Sequence, residues 1–196
     1  PAMPEMTLTT FPTSPVLTIL PTQDSLSLTF TSEGLAVVNQ NAKDFPVASL
    51  LMSANHNTVI LDAFDIAFTS ANGGATSDIE RVKVWKDGGS PGFGVEETTQ
   101  TATGQPNLLS IGTFQGATSR LDLKAFKGPL VVGLIPVKIY ITYDISQFAL
   151  PGHEVGLKIV SPTSFVQQAP SPDTVSSAGF PMQSVPTKKI QDLSSR

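Results

Sequence analysis

An all-β protein built as an antiparallel sandwich is predicted by three observations. Val137 to Tyr143 reads VKIYITY, with Val137, Ile139, Ile141 and Tyr143 on one parity and Lys138, Tyr140 and Thr142 on the other. Side chains alternate between the faces of a sheet with period two, so this is the pattern of a half-buried strand. The same alternation recurs along most of the chain, and no comparably long stretch keeps helical spacing. Turn signals return every eight to fifteen residues or so, as in folds made of many short strands. Strands with one apolar face need a second layer to cover it, and two packed sheets supply one.

In chain order, residues 1–24 carry Pro1, Pro4, Pro12, Pro15 and Pro21 between short β-prone pieces, Met6 to Thr9 and Val16 to Leu20. Proline cannot donate to a ladder, so these pieces belong to an edge or an extended arm. Leu26, Leu28 and Phe30 alternate with Ser25, Ser27 and Thr29 and mark the first strand of a domain over residues 25–190, with Gly34 turning it. Leu35 to Val38, Val47 to Met52 and Thr58 to Phe68 follow, the last with Ile60, Asp62, Phe64, Ile66 and Phe68 in one parity. Asn72-Gly73-Gly74 is a turn, because these residues tolerate positive φ, and it leads into a strand from Asp78 to Trp85. The loop Lys86 to Gly92 separates it from a strand at Phe93 to Thr98; Leu108 to Phe114, the Leu121, Leu123 and Ala125 stretch, Pro129 to Tyr143 and Val155 to Val160 complete the main set. The Pro/Ser-rich carboxy-terminal segment keeps Phe165, Val175, Phe180, Met182 and Ile190, which predicts one or two further strands before a flexible tail at residues 191–196.

Composition narrows the function. Of 196 residues, 40% are apolar and only 14% charged, so solubility rests on Ser, Thr, Asn, Gln and Gly, a surface that suits secreted and cell-surface β-proteins. The net charge is −4 and the 12 Lys and Arg are scattered, which leaves no footprint for nucleic acid. No apolar run is long enough for a membrane-spanning helix, so no membrane insertion is expected. Cysteine is absent, which excludes disulfides, thiolate metal sites and cysteine nucleophiles. Pro1 in place of an initiator Met reads as a processed amino terminus after removal of a signal peptide.

Two segments together carry a resemblance. Asp78-Ile79 followed by Val82-Lys83-Val84-Trp85-Lys86-Asp87-Gly88, and Ile139 to Ser146 with Ala149, Pro151-Gly152 and Glu154-Val155-Gly156, resemble immunoglobulin-like modules of large bacterial secreted and cell-surface proteins. The likeness covers roughly residues 58–165. It implies an immunoglobulin-like sandwich in an extracellular setting, where adhesive, scaffolding and filament-forming roles are common. It carries over no catalytic residue, and the long amino-terminal stretch departs from an ordinary module of this kind.

Candidate chemistry is sparse. Gly88-Gly89-Ser90-Pro91-Gly92 matches the nucleophile-elbow pattern, but a helix must follow the serine and a strand is predicted instead, so the segment reads as a loop. The available bases, His56 and His153, sit in polar, turn-like contexts that favour exposure. Asp87 with Glu96 and Glu97 lacks the regular ligand spacing of a calcium loop and reads as solvated charge. Asp62 with Asp65, or Asp78 with Glu80, are carboxylate pairs of the kind glycosidases use, and such pairs also arise in strands by chance. No catalytic residue, cofactor or metal ligand is therefore assigned. Trp85, opposite in parity to Val82 and Val84, and Tyr140 are expected to be exposed aromatics, able to stack on a glycan or another chain.

The amino-terminal arm is the favoured functional element. Met6, Leu8, Phe11, Val16, Leu17, Ile19 and Leu20 are too apolar for an exposed tail, since bare apolar surface and open strand edges invite association. An arm that adds as a strand to the next subunit would build a homopolymer by donor-strand exchange, whereas an arm that folds back would be the first strand of its own sandwich. The expectation is an extracellular structural subunit, not an enzyme, whose partners are copies of itself; the alternative is an adhesion or carbohydrate-binding module of a larger secreted protein, with glycans as partners.

Overall fold

Apolar alternation at Leu26, Leu28 and Phe30 does form the first strand, β1 (Ser25–Ser32). In the computed structural model, which describes residues 23–89, 91–98, 107–168 and 173–192, it is followed by β2 (Val37–Asn39), β3 (Phe45–Ala54), β4 (Val59–Ala71), β5 (Ile79–Lys86), a one-turn helix α1 (Val95–Thr98), β6 (Leu108–Gly112) and β7 (Thr118–Asp122). A second one-turn helix, α2 (Lys124–Lys127), precedes β8 (Leu130–Val132), β9 (Val137–Ile145), β10 (Glu154–Ile159), β11 (Phe165–Gln167), β12 (Thr174–Val175), β13 (Met182–Gln183) and β14 (Lys188–Gln191). The protein is an all-β sandwich.

One sheet has six strands in the order β12-β1-β3-β9-β5-β6, and the other has eight, with β11-β4-β10-β14-β2 as its main path. In the second sheet the long strand β4 is flanked on both sides by interrupted strands. Phe64 pairs with Leu121 on one side and Phe165 on the other; β7 then β8 line the first side, β10 then β11 the second. Pairing is antiparallel except at two margins, where β12 runs parallel to β1 and β2 parallel to β14.

The chain of pairings fixes two ends. With the start of β1 taken as the lower end, β3 and β5 descend while β9 and β4 ascend; β10 descends beside β4, and β14 ascends beside β10. Ser25 therefore lies at the lower end and Gln191 at the upper. After Ser32 the chain leaves the first sheet and joins the second as β2. Gly34 makes this crossing possible: its φ is +70, and a Cβ there would stand 2.3 Å from the Pro46 carbonyl oxygen. Gly74 is required for a different reason, since its Cβ would meet the Glu154 carbonyl oxygen at 2.0 Å where the β4–β5 turn presses on β10.

The core between the sheets contains Leu50, Phe64, Ile66, Leu121, Ile141 and Tyr143 among others. Tyr143 is fully buried and its hydroxyl donates to the Gly156 carbonyl at 3.1 Å, tying β9 to β10; burial pushes its pKa up. Lys188 is the unusual member. It points inward from β14, is 2% exposed, and its Nζ lies 3.5 Å from Ser32 Oγ. Burial pushes its pKa below the ordinary lysine value, with Glu33 acting the other way. Between that lowered pKa and about 10.4 the unfolded chain binds more protons, so the Lys188 contribution makes stability rise with pH there. Replacing Lys188 with Met should stabilise the fold by on the order of 1 kcal/mol at neutral pH and abolish this rise. Urea denaturation across pH checks both; a loss of stability would show that the Ser32 contact outweighs the desolvation.

Five expectations are corrected by the fold. Residues Phe93 to Thr98 are not a strand: Glu97 binds two backbone N–H groups of its own loop, and Val95–Thr98 turn as a helix. Pro129 to Tyr143 is two strands, broken at residues 133–136, and the stretch after Leu121 winds into α2 instead of continuing as a strand. Asp62 does not share a face with Phe64: β4 changes parity between the buried Leu61 and the buried Phe64, where its partner β11 also shifts register. And β9 is not half-buried, since Tyr140, Thr142 and Asp144 on its outer side are as covered as Ile139 and Ile141 on its inner side.

Candidate interaction site

Trp85 does face outward from β5, as its parity requires, yet it is 0% exposed, as is Tyr140 beside it on β9. The expectation of an exposed aromatic pair is therefore corrected. The loop after β5 folds back over the sheet and sets Phe93 above both rings, with centroids 6.1 Å from Trp85 and 5.4 Å from Tyr140. The Trp85 indole N–H donates to Thr142 Oγ1 at 2.9 Å, and Lys138 Nζ sits 4.4 Å from the Tyr140 ring centre. Glu97, fully buried, holds the loop down: Oε1 accepts the Gly88 N–H at 3.0 Å and Oε2 the Gly94 N–H at 2.8 Å. Periodicity assigns a side chain to a face of the sheet but does not reveal a loop that returns to cover that face. No sugar ring can stack on either aromatic in this arrangement.

The paired acids are likewise separated by their partners. Asp62 pairs with Lys124 at 3.0 Å and Asp65 with Arg120 at 3.9 Å. Asp78 is buried, where Oδ2 accepts the Ala75 N–H at 2.8 Å and lies 2.8 Å from His153 Nδ1, while Glu80 is exposed and pairs with Lys43. His153 is thus part of the β4–β5 corner and not an exposed turn residue; His56 is exposed. Asp87 accepts the Gly89 N–H, and both oxygens of Glu97 are occupied by backbone. Among the described residues no group of three His, Cys, Asp or Glu is arranged to hold a metal. Ser90 lies outside the described residues.

Edge geometry, which cannot be read from a strand pattern, singles out β1. The opposite margin of its sheet, β6, lies against β7 and α2. On β1, by contrast, β12 covers only Ser25 and Leu26, with the Ser176 N–H closing on the Leu26 carbonyl. No described strand pairs with Leu28 to Ser32 on that side, although β13, paired with β10 in the other sheet, approaches β1. Leu28 and Phe30 point into the sandwich yet are only partly buried, whereas Leu26, beneath β12, is 0% exposed. The stretch is framed below by β12 and above by the crossing into β2. The expected intersubunit residues Met6, Leu8, Phe11, Val16, Leu17, Ile19 and Leu20 lie outside the described residues.

No protein-family model matches the chain, and no curated protein matches it. No helix among the described residues is long and apolar enough to cross a membrane.

Proposed function

We propose that the chain is an extracellular, non-enzymatic structural subunit of immunoglobulin-like build that assembles with copies of itself, through its amino-terminal arm, into a filament or surface array. The observation that carries this reading is the placement of the two termini of the sandwich. The arm enters at the lower end, beside Asn57 and Thr174, and β14 finishes at the upper end, beside Asn39. An arm that engages another copy from one end makes a heterologous contact, which repeats without closing unless the rotation forms a ring.

Both ends also offer surface to a neighbour. Leu134 and Ile135 are 63% and 83% exposed at the lower end, and Phe148 and Leu150 are 80% and 58% exposed at the upper. Apolar loop tips of this kind favour association. Burial of Trp85 and Tyr140 removes the feature that favoured a carbohydrate-binding module, and the candidates Asp62, Asp65, Asp78, Glu80, Asp87, Glu97 and His153 are engaged in structural contacts. Negative-stain images of the full chain test the proposal: filaments or ordered arrays support it, and dispersed single particles at high concentration contradict it.

A further inference from the structure

We infer that the unpaired edge of β1, Leu28 to Ser32, is the acceptor for Val16 to Leu20 of a second copy of this chain, which adds there as an extra strand. The inference rests on the assembly proposed above and names the two surfaces that meet. Three observations carry it. First, Leu28 and Phe30 are core-facing residues left partly uncovered at a margin of their sheet where no described strand pairs with them, while Leu26 one pair below, where β12 pairs, is fully buried. An added strand would complete the burial of both and satisfy the open backbone groups of the edge.

Second, the part of the edge next to the start of β1 is already taken. Asp24 is pinned, its carbonyl accepting the Thr174 N–H at 2.8 Å and its Oδ1 the Asn57 N–H at 3.1 Å. A hairpin made by the preceding residues would begin its pairing at Ser25 and Leu26, and that edge is already held by Thr174 and Val175. A tight hairpin of the preceding residues onto β1 would therefore meet β12 at its first pairs.

Third, the lengths agree. Val16 to Leu20 is bounded by Pro15 and Pro21, which cannot donate to a ladder and so limit the strand to the five residues between them. The stretch of β1 beyond β12 runs from Ser27 to Ser32, about the same length, bounded by β12 and by the crossing at Gly34. Neither stretch carries a charge, so nothing opposes their pairing.

The chain has no cysteine, so cross-linking can be made specific. A Thr18→Cys chain carrying a large tag is mixed at assembling concentration with untagged Thr29→Cys, Thr31→Cys or, as a control edge on β2, Val37→Cys chains, and treated with a short bis-maleimide. Thr29 and Thr31 are exposed, so neither substitution disturbs the core. The expected result is a tagged–untagged dimer with Thr29→Cys or Thr31→Cys and little with Val37→Cys. Assembly that persists with cross-linking only to Val37→Cys, or with no cross-link, overturns the assigned edge while the assembly reading stands. A monomeric Thr18→Cys/Thr29→Cys chain that closes on itself overturns the exchange. Absence of any assembly in the unsubstituted full chain removes both readings.

Discussion

Replacing Trp85 with alanine should lower folding stability by about 3–5 kcal/mol, the range for emptying a buried large aromatic site. The ring is 0% exposed, packs under Phe93, and its N–H is the partner of a fully buried Thr142 hydroxyl. Truncation therefore leaves both a cavity and an orphaned polar group. The denaturation midpoint should fall steeply at unchanged m-value. This outcome separates the buried cluster from a ligand platform: an outward sugar-stacking Trp would lose binding on substitution and leave the midpoint within about 0.5 kcal/mol of the parent.

Asp144→Ala is expected to cost about 2–3 kcal/mol, because it removes one of the two carboxylates paired with Lys83, which keeps Asp44 at 2.7 Å, and also leaves the Asp44 N–H without its acceptor. Asp144 is 3% exposed; its Oδ2 lies 3.0 Å from Lys83 Nζ and its Oδ1 accepts the Asp44 N–H at 2.9 Å. That second bond holds Asp44 at φ +55, a conformation an aspartate adopts only with support. Burial works against the Lys83 charge, but hydrogen bonds to Asp44 and Asp144 outweigh it and hold the pKa above the ordinary lysine value. A raised lysine pKa gives stability that is complete below the unfolded value of about 10.4 and is lost as pH rises through the folded value. Thermal melts of the parent chain should therefore weaken above that pH on account of Lys83, and the Asp144→Ala chain should show less of this alkaline loss. The Lys188 contribution has the opposite slope, so the two are best separated by comparing the Asp144→Ala and Lys188→Met chains.

These residues show what a linear pattern reveals and what it hides. Alternation at Leu26, Leu28 and Phe30, and at Ile139, Ile141 and Tyr143, placed strands and their inward faces correctly, because period two follows from backbone geometry alone. The parity of Trp85 was legible for the same reason. Its burial was not, since Phe93 and Glu97 reach it through a loop whose path depends on two side-chain-to-backbone bonds. Period two assigns Asp62 to the face of Phe64, because a bulge leaves no mark in composition, and predicts a strand through α2, because Leu121, Leu123 and Ala125 keep period two while the backbone does not. The candidate acceptor edge is the least legible feature of all. Leu28 to Ser32 look like any other half-buried strand until strand order shows that no described strand pairs with them on their outer side.

Removal of Pro1 to Pro21 tests the central claim most directly, with sedimentation velocity on the full and shortened chains over the same concentration series. The account predicts that the full chain gains mass with concentration while the shortened chain, still folded and melting cooperatively, remains a monomer. A shortened chain that assembles as the full one does, or a full chain that stays monomeric throughout, would contradict it.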